Sequence, residues 1–232
     1  MRLFIAGQKA FGAAVFDMAI ERGHEVLGVS SPEHGSGTYT DGSPKLDRLR
    51  RVATLKSIPW MPAGTLRAEN LPPGTDLILA AHSHDYIGMR TLRASRLGAV
   101  GYHPSLLPRH RGRDAVKWAV KMGDPVTGGT VYWLDRRTDG GPVAAQDWCF
   151  IKPGETAAEL WRRALFPMGV RLMAEVLDEL ATGVIRAVPQ DEAFATWEPS
   201  LDSQPLFKPE LPQIGPPPEG FRVETRSLRH GT

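Results

Sequence analysis

Residues 3–12, LFIAGQKAFG, join a short apolar run to a glycine-containing loop and the start of an amphipathic segment. The apolar run at residues 3–6 is typical of a buried parallel strand. Beyond the loop, apolar side chains recur at helical spacing from Phe11 to Ile20, and Gly23 stands where such a helix would end. Residues 26–29 supply a second apolar run. Strand, loop, helix and strand in this order form a βαβ unit, which predicts an α/β fold.

The same alternation of apolar runs and helical patterns continues to residue 198. Predicted strands cover residues 76–81, 99–102, 131–134 and 143–150, and predicted helices cover residues 46–55, 89–97, 115–122 and 156–182. The last helix has capping-box spacing at Thr156 and Glu159 and ends at Gly183, and Pro167 should kink or split it. Residues 30–44 and 59–73 carry the glycine, serine and proline that favour loops.

Composition indicates one domain with an appendage. The chain has 232 residues, of which 41% are hydrophobic and 23% are charged, so it can bury a core. Seven prolines fall among the last 34 residues, which favours an extended or partly disordered segment over a packed one. We therefore expect a folded domain at residues 1–198 and a proline-rich C-terminal tail at residues 199–232.

Charge, cysteine content and hydropathy exclude several classes of protein. Lysine and arginine number 28 against 26 acidic residues, a formal charge of +2, which is no nucleic-acid footprint. Cys149 is the only cysteine, which rules out a disulfide framework and a cysteine-rich zinc site. No apolar run has membrane length, and the N-terminal run is too short for a signal peptide. We expect a soluble cytoplasmic protein that binds neither nucleic acid nor membrane.

Two loops at predicted strand ends are candidate ligand sites. The loop at residues 7–12 opens a helix, where backbone N–H groups can meet an anion, but it is neither a dinucleotide fingerprint nor a P-loop. His82, His84 and Asp85 follow the strand at residues 76–81, where ligands collect in α/β folds. These side chains could hold a metal, although no cysteine or glutamate lies near them in sequence. We favour a ligand-lining loop without a metal.

The most informative stretch is GYHPSLLPRHRG at residues 101–112, in which a proline and a rigid turn follow His103 at a strand end. Asp139 lies 36 residues further along, on a glycine loop between two predicted strands. A carboxylate brought to an imidazole raises the imidazole pKa and selects its tautomer. The two residues therefore predict a general acid–base pair, and a histidine merely packed in a turn is the alternative.

Two stretches, HPSLLPRHRG at residues 103–112 and WLDRRTDGGPVAAQ at residues 133–146, resemble the signature of the formyltransferases that use 10-formyltetrahydrofolate. The resemblance covers residues 1–198. It is strongest to the N-terminal hydrolase domain of 10-formyltetrahydrofolate dehydrogenases, which share the IAGQKAFG loop and the LFPMGV segment of the long helix. It implies a Rossmann-like formyltransferase fold with a mostly parallel central sheet flanked by helices. It also implies folate in a cleft at the strand ends and no metal.

The resemblance assigns roles to individual residues. His103 matches the family's catalytic histidine, and Asp139 matches the aspartate that pairs with it and organises a water for proton transfer. By the same resemblance, the residues expected to contact the folate are Tyr86, Ile87, Asp135, Arg136, Arg137 and Thr138. Those expected on the acceptor side are Gln8, Phe11, Gly12 and Arg109.

One departure from the family pattern bears on the reaction. Most of the transferases have asparagine two residues before the histidine, and its amide donates to the developing oxyanion. This chain has Gly101 at that position, and the dehydrogenase hydrolase domains also lack the asparagine. We expect the glycine to be required by a backbone conformation forbidden to asparagine, or by space that the acceptor occupies.

Three functions are consistent with these residues. We favour formyl transfer from 10-formyltetrahydrofolate to a small amine-bearing acceptor. The alternative among enzymes is hydrolysis of the same donor to formate and tetrahydrofolate. The alternative from another class is a folate-binding module without catalysis, against which the intact His103 and Asp139 argue. The sequence leaves the identity of the acceptor and the oligomeric state open.

Overall fold

The computed structural model describes residues 1–201. The strands in that part of the chain are β1 Arg2–Gly7, β2 Glu25–Ser31, β3 His34–Thr38, β4 Pro44–Leu46, β5 Trp60–Pro62, β6 Leu77–Ala81, β7 Ala99–His103, β8 Val126–Trp133 and β9 Val143–Phe150. The helices are α1 Lys9–Glu21, α2 Arg48–Leu55, α3 Met89–Leu92, α4 Ala115–Met122, α5 Ala157–Leu160 and α6 Phe166–Ala181. A π-helical turn, Trp161–Leu165, joins α5 to α6, and a 3₁₀ turn covers Glu192–Phe194. Within residues 1–201, no helix combines the length and apolarity needed to cross a membrane. Most of the predicted tail, residues 202–232, lies outside the described residues.

Seven strands form one sheet in the order β5-β2-β1-β6-β7-β8-β9, and β3 pairs with β4 in a separate antiparallel ribbon. The strands from β5 to β7 are parallel, whereas β8 and β9 extend the sheet in antiparallel fashion. The predicted α/β fold with a mostly parallel central sheet is confirmed. Because β1 pairs with β2 on one side and with β6 on the other, the ligand crevice of such a sheet opens beyond the carboxyl ends of β1 and β6.

Both faces of the sheet are covered, which explains the uninterrupted apolar run of β1. Successive side chains of a strand point to opposite faces. Leu3 and Ile5 pack into a large cluster with α1 and α6, whereas Phe4 and Ala6 pack into a smaller cluster with α3 and the connection before β6. All of these side chains are fully buried. The core therefore consists of two layers, one on each side of the sheet.

Two segments predicted as loops contain strands. Residues 30–44 include β3 and reach the start of β4, and the two strands pair as an exposed hairpin. The connection at residues 59–73 contains β5, which pairs with β2 at the edge of the sheet. Proline is tolerated at such an edge, because its missing N–H is not needed by a further strand. In both segments the pairing partner decides the conformation, and the local composition does not.

The helix predicted at residues 89–97 is much shorter in the structure. Only α3 is helical, and the chain then turns towards β7. The Ser95 hydroxyl lies 2.8 Å from the carbonyl oxygens of both Leu92 and Gly98, and Gly98 has a φ of 86°. A serine bonded to nearby carbonyls competes with the helical pattern, and the left-handed glycine ends it.

The long C-terminal helix is interrupted where Pro167 predicts a kink. The capping box of Thr156 and Glu159 starts α5, and the π-helical turn precedes α6, with Pro167 in the first turn of α6. Proline has no N–H to donate, and its ring crowds the carbonyl four residues earlier, so a wider turn relieves the clash. The predicted capping box and interruption are confirmed, and Gly183 follows the helix end with a φ of 85°.

The π-helical turn provides the anchor for β7. The Tyr102 hydroxyl donates to the Leu165 carbonyl oxygen at 2.7 Å, and the ring stacks on Phe11 with centroids 5.1 Å apart. Glycine is required on both sides of the ring. A Cβ at Gly129 would lie 2.2 Å from the Tyr102 hydroxyl oxygen, and one at Gly169 would lie 2.5 Å from Cε1. Tyr102 therefore locks β7 against α6 and β8.

Gly169→Ala tests the slot around Tyr102. A helical Gly→Ala change ordinarily stabilises a protein by about 1 kcal/mol, but here the new methyl group would overlap the tyrosine ring. We expect the free energy of unfolding in urea to fall by about 1–3 kcal/mol, the usual effect of overpacking a core. The control is Gly88→Ala, whose Cβ would meet only Tyr86 Cε1, at 3.6 Å, and which should change stability little. A gain in stability for Gly169→Ala would show that the ring moves aside freely.

Candidate active site

His103 is the last residue of β7, and a tight turn at residues 104–111 follows it. The Ser105 hydroxyl donates to the Arg109 carbonyl oxygen at 2.6 Å, and the Thr130 hydroxyl on β8 donates to the Ser105 carbonyl oxygen at 2.7 Å. The serine and the threonine are fully buried. The turn is therefore fixed to the sheet, and it holds the end of β7 in place.

His103 and Asp139 face each other across the end of the sheet. The Nδ1 atom of His103 lies 3.6 Å from Asp139 Oδ2, a distance suited to an ion pair, and Nε2 lies 2.6 Å from the His110 carbonyl oxygen. The two side chains are only 9% and 12% exposed, so bulk water is largely excluded from the pair. An oxygen acceptor lies at each ring nitrogen, and an imidazole can donate to both only when it is protonated at both nitrogens. The arrangement suits a group that holds and releases a proton.

Asp139 is held by hydrogen bonds from two elements. The Tyr132 hydroxyl donates to Oδ1 at 2.6 Å, and the Gly112 backbone N–H donates to Oδ2 at 2.8 Å. The Asp139 backbone has a φ of 51°, a left-handed conformation that aspartate adopts more readily than most residues. Burial and the Asp139 charge raise the pKa of Tyr132 well above its usual range, so the phenol stays a donor at neutral pH. These contacts set the direction in which the carboxylate faces His103.

The segment after α6 braces the Asp139 loop. The Gln190 side-chain amide donates to the carbonyl oxygens of Asp139 and Gly141 at 2.8 and 2.7 Å. Its oxygen accepts from the Arg111 guanidinium, which also forms a two-point ion pair with Glu192 at 2.8 Å. Arg111 is buried, whereas the Glu192 end of this brace is exposed to solvent. Sequence reasoning missed Gln190, because its partners are far away in the chain and no motif joins them.

His110 forms a second buried cluster next to His103. Its Nε2 atom lies 2.8 Å from Asp124 Oδ2, and Nδ1 lies 3.1 Å from Glu198 Oε2 at an angle unsuited to a hydrogen bond. The His110 backbone N–H donates to the Thr196 hydroxyl oxygen at 2.8 Å. Burial lowers the pKa of His110, but the contacts with Glu198 and Asp124 outweigh burial, and the net shift is upward. Because the His110 carbonyl accepts from His103, this cluster fixes one of the two acceptors around the His103 ring.

Tyr86 and Ile87, expected at the folate, lie at different depths. Tyr86 is 73% exposed and lines a cavity of about 580 Å³ together with Leu66, His84 and Thr91. Ile87 is buried in the smaller apolar cluster. The loop after β6 therefore presents one aromatic ring to a cavity and anchors itself through the next side chain.

The second loop expected at the folate follows β8. The Asp135 carboxylate accepts from the backbone N–H of Arg137 at 2.7 Å and from its Nη2 at 2.8 Å. Leu134, directly before this loop, packs against the same apolar cluster as Ile87. The structure thus brings both predicted folate loops to one apolar cluster. The exposed members of the second loop are Arg136, Arg137 and Thr138.

The residues expected on the acceptor side divide into two kinds. Phe11 is 1% exposed and packs against Tyr102, and Gly12 packs against α2, where a Cβ would lie 3.3 Å from Leu49 Cδ2. The Phe11 side chain and the space beside Gly12 are therefore part of the core. Gln8 is half-buried at the loop before α1. Arg109 is exposed on the turn after β7, and its guanidinium lies 3.0 Å from Asp124.

The loop before α1 already holds an internal carboxylate. The Lys9 backbone N–H donates to Asp47 Oδ2 at 2.9 Å, and the Leu49 N–H donates to Oδ1 at 2.9 Å. Asp47 is 1% exposed. The start of a helix attracts an anion, and here the Asp47 carboxylate is that anion.

His82 and His84 follow β6 with ring centroids 5.4 Å apart. Burial lowers the pKa of His82 to about 4, and nearby Lys9 adds to the shift. Burial, with Arg113 and Lys9, also lowers the pKa of His84. Both rings are therefore neutral at neutral pH. Among residues 1–201, no group of three or more His, Cys, Asp and Glu side chains is arranged to hold a metal ion.

Gly101 lies opposite Ala80 of β6 and Tyr132 of β8. Its φ is outside the left-handed region, so the expectation of a conformation forbidden to asparagine is wrong. A Cβ at this position would lie 3.0 Å from Leu134 Cδ1 and 3.4 Å from Tyr132 Cε1. Side chains of the protein therefore border the position of that Cβ, and the expectation of space for the acceptor stays a prediction.

Comparisons with known proteins identify the family. A family model described as formyl transferase matches residues 65–177. Methionyl-tRNA formyltransferase from Thermotoga maritima is 30% identical over 213 residues, which cover 89% of this chain and 67% of that protein. The chain belongs to the formyl transferase family, as the resemblance implies.

Two further proteins illustrate the range of the family. Mitochondrial 10-formyltetrahydrofolate dehydrogenase from Mus musculus is 33% identical over 208 residues, which are 85% of this chain, and the chain spans 22% of the length of that relative. The N-formyltransferase from Helicobacter canadensis, solved in complex with folinic acid and dTDP-3-aminofucose, superimposes with a TM-score of 0.71 at 14% identity, covering 87% of this chain and 72% of that one. This likeness confirms the Rossmann-like formyltransferase fold.

The His110 cluster predicts a pH-dependent stability. A histidine whose pKa is raised by folding stabilises the protein below its unfolded pKa, and this contribution is lost as the pH rises through the folded pKa. His110→Gln should lower the free energy of unfolding by about 3 kcal/mol at about pH 6, because it takes this cation from the buried Glu198 carboxylate and leaves Asp124 with Arg109 alone. The loss should be smaller at about pH 9, where the wild-type ring is neutral too. Urea unfolding at both pH values, with exposed His34→Gln as the control, measures it. An equal loss at both values would contradict a charged His110.

Proposed function

We propose that this member of the formyl transferase family transfers a formyl group from 10-formyltetrahydrofolate to a small amine-bearing acceptor. The observation that carries the proposal is the shielded pair of His103 and Asp139 at the carboxyl end of β7, with Nδ1 and Oδ2 3.6 Å apart. Family membership supports the formyl donor, and the pair supports the chemistry, because formyl transfer needs a group that meets developing charge and carries a proton.

The transfer requires stabilisation of charge at one oxygen and the movement of one proton. The donor, when bound, supplies a formyl group on N10, and attack by the acceptor nitrogen on the formyl carbon places negative charge on the formyl oxygen. His103, charged beside Asp139 and bonded through Nε2 to the His110 carbonyl, donates from Nδ1 towards that oxygen. The acceptor nitrogen loses a proton and N10 gains one as the bond between N10 and the formyl carbon breaks. The Asp139 carboxylate takes up that proton, directly or through a water, and returns it to N10.

The remaining residues are assigned to the two substrates. Tyr86 and Ile87 enclose the pterin from one side, and the backbone of the 135–138 loop meets its edge. The cavity of about 580 Å³ beside Tyr86 supports this assignment, because it offers room for a ring system. Gln8 and Arg109 face the acceptor. This part of the proposal includes a cytoplasmic location and a small-molecule acceptor, without nucleic acid, membrane or metal.

Hydrolysis of the donor is the second candidate, and two observations favour it. The chain is 33% identical to mouse 10-formyltetrahydrofolate dehydrogenase, and it has Gly101 where most of the transferases have asparagine. With water as the acceptor, His103 would meet the same oxygen, and Asp139 would help to move a proton from water to N10. The two reactions therefore share one site and differ in the attacking atom.

His103→Ala tests the proposed role of the histidine. The imidazole acts on charge that develops in the transition state, so kcat should fall by about a hundredfold or more, which corresponds to about 3 kcal/mol. The dissociation constant of 10-formyltetrahydrofolate, followed by ligand fluorescence, should be almost unchanged. His34→Ala, an exposed histidine on β3, is the control. Near-normal turnover in the variant would remove His103 from the mechanism.

Product analysis separates the candidate reactions. The protein is incubated with 10-formyltetrahydrofolate, and tetrahydrofolate and free formate are measured separately, with and without added amines. A transferase should release tetrahydrofolate only with an amine, and formate should stay below the tetrahydrofolate formed. Equal release of both products without an amine would identify the hydrolase. Folate binding without either product would identify a non-catalytic module.

A further inference from the structure

Gly101 and Tyr132 are direct neighbours across the antiparallel junction of the sheet. In the pairing of β7 with β8, Gly101 lies opposite Tyr132, and His103 lies opposite Thr130. Opposed residues of antiparallel strands share a face, and so do residues two apart in one strand. Position 101, Tyr132 and His103 therefore lie on the same side of the sheet.

The Tyr132 ring and the Leu134 side chain border the room that a side chain at position 101 would need. A Cβ there would lie 3.4 Å from Tyr132 Cε1 and 3.0 Å from Leu134 Cδ1. A methyl group would press on both side chains, and a group as large as asparagine would displace at least one of them. The small residue on β7 and the large residue on β8 are thus one packing unit.

At its other end, Tyr132 acts on Asp139. Its hydroxyl donates to Oδ1 at 2.6 Å. A phenol has a single hydrogen, so the same group cannot donate to the formyl oxygen at the same time. The Gly112 N–H holds the other oxygen, Oδ2, which faces His103 Nδ1. With one donor on each oxygen, the carboxylate cannot turn away from the imidazole without losing a shielded hydrogen bond.

We propose that Tyr132 is a positioning residue for Asp139, and that Gly101 is small because it admits the Tyr132 ring. Tyr132 on β8 thus lies beside the place that a side chain at position 101 of β7 would take. This inference rests on the proposed function, since Tyr132 acts through the same pair of His103 and Asp139.

Tyr132→Phe is the direct test, because the ring stays beside Gly101 and only the hydroxyl is removed. A hydrogen bond to a charged group has a strength that corresponds to roughly a ten- to hundredfold change in rate, so kcat should fall by about that factor. The KM for 10-formyltetrahydrofolate should not change. Thr75→Val is the control, since it also loses the hydrogen bond of a buried hydroxyl, to the Pro72 carbonyl, on the connection before β6 and away from the site. It should lower stability and leave kcat unchanged.

A double-mutant cycle shows whether Tyr132 works through Asp139. Residues that act as one unit have non-additive effects. In an Asp139→Asn background, Tyr132→Phe should therefore cause no further loss of kcat. The inference would be overturned if the two losses of kcat multiplied as independent effects. It would also be overturned if the single Tyr132→Phe variant had an unchanged kcat.

The packing half of the inference has a readout that does not use activity. Gly101→Asn should lower the unfolding midpoint in urea in the wild-type background, and the loss should be smaller in Tyr132→Ala, where the ring no longer borders the space. Equal losses in both backgrounds would show that the Tyr132 ring does not limit the side chain at position 101.

Failure of this inference differs from failure of the proposed function. If His103→Ala abolishes turnover and Tyr132→Phe does not reduce it, only the role of Tyr132 is disproved. If neither substitution changes kcat, the proposed function and the inference fall together.

Discussion

The packing of Tyr102 between β8 and α6 is the constraint on which the site depends. Its ring leaves no room for side chains at Gly129 and Gly169, and its hydroxyl bonds to the carbonyl of the π-helical turn. A residue fixed so firmly on one face of a strand also fixes its neighbour on the other face. That neighbour is His103. Functional side chains must hold their geometry to about 0.5 Å, and elements with locked rotamers achieve this better than loops.

The polar groups around His103 extend this rigidity to the two loops that contribute oxygen atoms. Asp139 and His110 have left-handed φ values of 51° and 55°. Such a conformation costs roughly 1–2 kcal/mol for a residue with a side chain. Tertiary contacts offset the cost: Gln190 and Gly112 hold the Asp139 loop, and the carboxylates around His110 hold the other. The imidazole is thus placed between two acceptors, each held in position by tertiary contacts, and residues 111 and 112 link them.

Gly101 illustrates how a family can keep a reaction centre while it changes a neighbouring side chain. The transferase pattern places a polar group on β7, two residues before the histidine. Here Tyr132 of the adjacent strand borders that space, and the tyrosine reaches the carboxylate instead of the substrate. In the proposed mechanism, this arrangement orients Asp139 and leaves position 101 without a donor to the oxyanion. Whether an amine or water attacks is therefore the chemical question that this substitution raises.

Local features of the sequence determined the parts of this protein that depend on short-range physics. Apolar runs predict the buried strands because both faces of the sheet are covered, and a capping box and a proline predict where the long helix starts and breaks. The motif around His103 and the glycine loop of Asp139 predict the pair because each depends on its own turn. Only the tertiary structure decided which residues surround that pair. Gln190, Glu198 and the core side chain of Phe11 make contacts far along the chain. No local sequence pattern announces these contacts. The edge strand β5 also depends on the tertiary structure, because it forms as a strand only by pairing with β2.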